Sequence, residues 1–352
     1  MKILLICSDL YPEMGGSFKA ITDTQEMLES EHKYQTRLVY CRDLIGKKKL
    51  DLIFLIKNFD IIHYFGGWNF FHIKVMFYSI IYKKNFIISP MGIFEEWSLD
   101  QKKIKKKIAL YFYQAFFLNR ANSIHVTSDR EKKNLQKITK NKNIRIIPHG
   151  IKNVDIDNKT IFKNDKKKAI FFSRLHKKKG IIELINAWVN IDNKEWELHI
   201  YGPDFDGIKV KIEKMIKNTK SITLFEPVFQ ENEKKNILLD YDLSILPTRS
   251  ENFGYTILES LQFGVPTLTT NKTPWNNIKD ENAGWIIDSS LLKLEDTLRK
   301  ILLLQKKDFE EKSKNAIKLS KNYSFNNLKD KYFLLYEEVN KIEKNSFNNL
   351  QK

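Results

Sequence analysis

Short apolar runs alternate with amphipathic stretches along the whole chain, which is the pattern of parallel sheets flanked by helices. Ile3–Cys7 reads as a first strand, followed by a loop holding Gly15-Gly16 and a helix from about Phe18 to Glu29. Arg37–Cys41, Asp60–Tyr64, Phe86–Ser89, Ser123–Thr127 and Arg145–Ile147 read as further strands. Pro90 and Gly92 stop the fourth of these six strands, and the last runs into Pro148-His149-Gly150. A polar, lysine-rich stretch from Lys152 to Lys168 then reads as a linker.

The same grammar restarts after it. Ala169–Ser173, Glu197–Tyr201, Ser221–Phe225, Leu243–Leu246 and Pro266–Thr270 read as strands. Helices are expected over Ile181–Val189, after Gly180, and around Thr256–Phe263. From about Asn326 to Lys344 the period is helical, with Leu328, Tyr332, Leu335 and Val339 on one face. Two consecutive α/β units without a sequence repeat predict two Rossmann-like domains facing a cleft. The expected boundaries are 1–151, 152–325 and a C-terminal helix over 326–352 that crosses back and packs on the first domain.

A chain of 352 residues, 42% hydrophobic and 12% aromatic, is large enough for two cores, which agrees with two units. Cys7 and Cys41 lie in strand-like runs, with neither a disulfide framework nor zinc-ligand spacing. The opening apolar run is too short for a signal-peptide core, and no run is long enough to span a membrane. A cytoplasmic protein is therefore expected. Sixty Lys and Arg against forty-three Asp and Glu give a formal charge of +17. Lys-, Asn- and Ile-rich usage of an AT-rich genome accounts for part of this, and attraction to an anionic membrane surface is the alternative. No nucleic-acid partner is expected, because no base-reading helix, zinc finger or aromatic RNA module is visible.

Candidate chemistry concentrates in the second half. In Pro247-Thr-Arg-Ser-Glu251-Asn-Phe-Gly254-Tyr-Thr-Ile-Leu-Glu259, Gly254 falls where a loop enters a helix. Backbone N–H groups at such a helix start point at an anion, and glycine permits close approach. Glu251 before the helix and Glu259 in its second turn suit hydroxyls on either side of a phosphate; a capped helix start with a solvated Glu is the plainer alternative. Upstream, Phe171-Phe-Ser-Arg174-Leu-His-Lys-Lys-Lys179-Gly180 follows a strand, and Arg174 and Lys179 could oppose the charge of a leaving diphosphate. Gly15-Gly16 forms a third, weaker element.

In this order the segments resemble glycosyltransferase family 4 of the GT-B fold, in its bacterial capsule and lipopolysaccharide branch. The Gly15-Gly16 loop, Asp60-Ile-Ile-His63 with Gly66 and Trp68, and Ser89-Pro90-Met91-Gly92 carry the likeness in the first half. His125-Val-Thr-Ser, Ile147-Pro-His-Gly150-Ile, the Arg174–Gly180 run, the Glu251 to Glu259 spacing and Thr273-Pro274-Trp275 carry it onward.

The resemblance implies a metal-independent, retaining, hexosyltransferase-type enzyme. It would take a UDP- or GDP-sugar donor and a glycan or lipid-linked acceptor, need no cofactor, and work at the inner face of the cytoplasmic membrane. By position, Arg174 and Lys179 look like the pair that grips the diphosphate. Glu251 resembles the glutamate that meets sugar hydroxyls, with Asn252, Phe253, Gly254 and Tyr255 beside it. Glu259 resembles the ribose-binding glutamate, Val228 the base-holding segment, and Gly16 a phosphate contact. Gly15, His63, Met91, Gly92 and Trp97 are expected at the acceptor, although Met91 stands where the family often has His or Arg.

Two rivals remain. A glycoside hydrolase would have no use for the basic pair, and the presence of Arg174, Lys179, Glu251 and Glu259 together argues against a non-catalytic binding module. Three Asp-x-Asp pairs, at 155/157, 204/206 and 240/242, are read as structural rather than as metal ligands. The stretch from Gln101 to Leu118, lysine-rich and then aromatic, is expected to lie on an anionic membrane.

Overall fold

The computed structural model describes residues 1–7, 15–44, 49–67, 70–100, 113–156, 159–191 and 193–348. These form two compact α/β units: residues 1–11, 17–150 and 325–352, and residues 12–16 and 151–324.

The first unit is built on a six-stranded parallel sheet, in order β2-β1-β3-β4-β5-β6. Its strands are β1 (Lys2–Cys7), β2 (Gln35–Tyr40), β3 (Ile61–Phe65), β4 (Asn85–Ser89), β5 (Ser123–Val126) and β6 (Ile144–Ile146). Strand β1 lies between β2 and β3 and is buried from Ile3 to Cys7, as expected of an unbroken apolar run inside a parallel sheet. Leu4, Ile6, Ile62, Tyr64, Ile88 and Ile124 meet helical side chains such as Ile56, Val75 and Met76 in one core. The C-terminal helix (Phe325–Asn348) packs on β3 and β4. Leu328, Tyr332, Leu335 and Val339 are all buried there, so the apolar stripe read from the sequence is covered by this unit.

The second unit carries another six-stranded parallel sheet, in order β12-β11-β10-β7-β8-β9. Its strands are β7 (Lys167–Phe172), β8 (Trp196–Tyr201), β9 (Ile222–Leu224), β10 (Leu243–Leu246), β11 (Thr267–Thr270) and β12 (Gly284–Ile287). From β7 the chain builds outward to β8 and β9, then returns to place β10 on β7's other side. The gap between β7 and β10 is therefore the topological switch point, where loops leaving the carboxyl ends of strands diverge. The helix over Ile181–Ile191 buries Ile181, Leu184, Ile185 and Trp188, one face at helical spacing.

Where sequence expectation and structure differ, the reason is local. The second strand ends at Tyr40, and Cys41 opens a 3-10 turn. Strand β12, only four residues with glycine first, gave too brief an apolar signal to be read.

Candidate functional site

Three strands of the second unit, β7, β9 and β10, deliver the candidate residues from their carboxyl ends. After β7, Leu175 N–H donates to the Pro203 carbonyl at 2.9 Å, tying this loop to the one after β8. His176 caps the short turn Lys177–Lys179, and Gly180 follows with φ 71°. A Cβ on Gly180 would stand 2.1 Å from the Pro247 carbonyl oxygen, so the loops after β7 and β10 touch through this residue. Arg249 N–H donates to the Lys178 carbonyl at 2.8 Å, and Thr248 Oγ1 to the same oxygen at 3.2 Å.

This strapping brings Lys179 and Glu251 together at the switch point, where Lys179 Nζ donates to Glu251 Oε1. Both side chains are nearly buried, at 10% and 12% exposure, so each charge depends on the other. Burial pushes the Glu251 carboxyl up. The charges of Lys179, Lys178 and Arg174, with the Lys179 hydrogen bond, outweigh burial and hold it below the usual carboxylate range. Arg174 itself is exposed. The result is an ionised carboxylate inside a cationic loop, suited to hydroxyl groups beside an anion.

Glu251 N–H donates to the Lys272 carbonyl at 3.1 Å, which joins the loop after β10 to the turn after β11. Asn252 and Phe253 continue to Gly254, whose φ of 79° sets the entry to the helix Tyr255–Gln262. Only glycine takes that backbone region without strain, which accounts for its place in the motif. Trp275 Nε1–H donates to the Phe253 carbonyl at 2.5 Å and fixes the loop from below. Glu259 is buried in the second turn, with Lys234 Nζ 3.4 Å from its Oε1. Val228, after β9, packs against a cluster that includes Phe172, Tyr201 and Tyr241. Gly15 (φ 68°) and Gly16 open the first helix, and Gly16 is grouped with the second unit.

In the first unit the expected acceptor residues separate. His63, expected to contact acceptor, is fully buried instead, and both ring nitrogens are engaged: Nδ1 with Tyr336 Oη at 2.6 Å and Nε2 with Ser89 Oγ at 2.7 Å. That expectation is corrected: β3 directs this side chain into the interior, under the C-terminal helix. Met91 (φ 56°) and Gly92 (φ 77°) form the turn after β4, and Gly92 N–H donates to Glu131 Oε1 at 2.9 Å. Trp97 is half-buried on the short helix Glu96–Asp100.

The expected membrane stretch lies mostly outside the described residues. Of its end, Phe117 and Leu118 are buried in the core, while Phe116 is exposed with the Arg120 guanidinium 3.8 Å above its ring. Phe117 and Leu118 are therefore core residues rather than candidates for lipid contact. Among the Asp pairs, Asp204 accepts N–H groups of Asp206, Ile208 and Lys209. Asp240 pairs with Lys163 and Lys168, and Asp242 accepts N–H groups of Phe162 and Lys168. Asp157 lies outside the described residues.

Sequence reasoning passed over His176, Lys234 and Glu131. Lys234 lies on a helix that was not located, and histidine is not among the strong capping residues. Thr127-Ser-Asp-Arg-Glu131, a Ser followed three residues later by Glu, is a capping signature that could have flagged the last.

Residues 153–322 match the family model described as "Glycosyl transferases group 1". An uncharacterized 41.2 kDa protein in the cps region of Klebsiella pneumoniae is 23% identical over 262 residues, covering 67% of this chain and 71% of that protein. The fold resembles HepE of Anabaena, solved in complex with UDP and glucose, at TM-score 0.75 and 14% identity, covering 96% of this chain and 99% of that one. It also resembles WaaG, a glycosyltransferase involved in lipopolysaccharide biosynthesis, at TM-score 0.67 and 15% identity, covering 94% and 98%.

Proposed function

We propose that the chain, whose residues 153–322 match the group 1 glycosyl transferases, is a transferase of that family and moves a sugar, with retention, from a nucleotide-sugar donor to a cell-envelope glycan or lipid-linked acceptor. The observation that carries the reading is the Lys179–Glu251 pair at the carboxyl ends of β7 and β10. A switch point flanked by a helix N-terminus is where α/β units bind phosphorylated ligands.

In this reading Lys179 and Arg174 take the diphosphate, and Glu251 accepts hydrogen bonds from donor sugar hydroxyls. Glu259 faces the ribose and the segment near Val228 the base. The leaving diphosphate accepts the proton of the incoming hydroxyl as the new bond forms on the face the diphosphate leaves. Fixed cations stabilise the charge that develops there, the role a divalent ion has in other transferases. Transfer is therefore proposed to need no metal, and a chelator should leave its rate unchanged. The capsule-region relative and WaaG support an envelope acceptor, and the UDP-bound neighbour supports a uridine donor.

A panel of UDP-, GDP- and ADP-sugars in a thermal-shift assay tests the reading. A donor at a hundred times its dissociation constant stabilises the protein by about 2.7 kcal/mol. No shift with any of them, together with no nucleotide released in the presence of envelope glycans, would end it.

A further inference from the structure

His176 has no role in the donor site as described, yet its contacts converge on the backbone that carries Lys179. Its Nδ1 accepts the Lys178 N–H at 2.8 Å. The Lys178 carbonyl accepts from Arg249 and Thr248, and Lys179 N–H returns to the His176 carbonyl at 2.9 Å. Lys178 is thus held at both its N–H and its C=O, and the direction of the Lys179 side chain follows from it. A ring nitrogen that accepts from a backbone N–H carries no proton, so the neutral ring is protonated on Nε2. Nε2 faces Asp206, with Oδ2 at 3.3 Å. Asp206 N–H in turn donates to Asp204 Oδ1 at 3.1 Å, so the loop after β8 is set by one of the Asp-x-Asp pairs.

We propose that His176 is a positioning residue: its unprotonated Nδ1 holds the turn that aims Lys179, Asp206 fixes the tautomer, and the site takes a diphosphate donor well only while His176 is neutral. The proposal rests on the donor-site reading above and adds to it a residue and a pH dependence.

The charged groups facing the imidazole are Asp206 from the loop after β8, and Arg174, Lys178 and Lys179 from its own loop. Burial lowers its pKa, Asp206 raises it, and the three cations lower it again, leaving it below its ordinary value. The cap is therefore complete above about pH 6.5 and is lost as pH falls through the depressed pKa. The added proton enters at Nδ1, where it meets the Lys178 N–H donor against donor.

Imidazole 15N spectra of the unliganded protein test the cap directly, with His176→Asn identifying the resonance. The Nε2–H tautomer is expected, titrating below about 6.5, and lower still in Asp206→Asn. A ring protonated on Nδ1 at neutral pH overturns the cap. Calorimetric titration with UDP-glucose and GDP-mannose, whose diphosphates are diesters of constant charge, tests the coupling. Wild-type affinity should fall between about pH 7.5 and a pH below the titration the spectra show, by about fivefold at full protonation, equivalent to one lost N-cap of about 1 kcal/mol. Asparagine places an oxygen where Nδ1 stands and does not titrate, so His176→Asn should keep the neutral-pH affinity without the acid fall. His176→Ala should be weak at both pH values. A flat wild-type profile, or an equal fall in His176→Asn, overturns the proposal. Failure of both nucleotide sugars to bind at any pH counts against the donor site itself, and the spectra still decide the cap.

Discussion

Tyr336 and His63 meet at 2.6 Å, and the direction of the hydrogen bond between them is fixed by the groups beyond. His125 Nε2 contacts the Ile147 carbonyl at 2.8 Å, so that nitrogen donates and His125 Nδ1 accepts from Ser89 Oγ at 2.7 Å. Ser89 Oγ must then accept from His63 Nε2–H, which leaves His63 Nδ1 to accept the Tyr336 hydroxyl proton. One directional chain runs from the C-terminal helix through β3, β4 and β5 to the end of β6. Burial supports it by holding both rings neutral, with His125 lowered to about 4.

Tyr336→Phe should therefore cost more than a surface hydrogen bond. It leaves His63 Nδ1 buried without its donor, a loss of about 1–3 kcal/mol. Denaturant unfolding measures it, and wild-type stability in the mutant would mean the chain runs the other way or is not formed. Removing residues 322–352 should unfold the first unit, because Leu328, Tyr332 and Leu335 are part of its core.

Lys179→Ala and Glu251→Gln should each lower transfer by about a hundred- to a thousand-fold, the usual effect of removing one preorganised electrostatic contact. Their stabilities should differ in a telling way. Lys179→Ala leaves a buried carboxylate without its cation, so the single variant should unfold more easily than Lys179→Ala/Glu251→Gln. Equal stability of single and double variants would show that the pair is not coupled.

Gly180→Ala should destabilise the second unit by about 2–5 kcal/mol, because strain at positive φ adds to overpacking. The added carbon would lie 2.1 Å from the Pro247 oxygen. Circular dichroism melting checks this, and an unchanged melting point would refute the contact between the two loops.

Glu131 is raised to about 7 by burial, against the pull of the Thr127 and Gly92 N–H groups. A carboxyl raised in the folded chain holds its proton more tightly there than when unfolded. Its contribution is present below about pH 4.5 and is lost as pH rises through about 7. Wild type should thus lose stability relative to Glu131→Gln between about pH 5 and about pH 8. Parallel pH profiles would remove Glu131 as the cause.

Lysines 102, 103, 105, 106 and 107 are proposed to attract anionic lipid, each contributing about 1 kcal/mol near the surface. Flotation with anionic vesicles should recover the protein, less so in salt or when these five become Ser. Equal recovery of wild type and the five-serine variant would rule the segment out.

The sequence by itself determined the two α/β units, most strands and the loop motifs around Lys179 and Glu251, because these are set by local apolar periodicity and by glycines at helix starts. Gly254 was legible as the glycine where a loop enters a helix and Gly180 as the residue before one, while their left-handed backbone angles came from the structure. Strand order could not, since it depends on which strands pair across long separations, and it is this order that places Glu251 against Lys179. His63 illustrates the limit most clearly. A histidine closing an apolar strand reads the same whether its ring meets solvent or a helix, and only the return of Tyr336, 273 residues later, decides that it is buried.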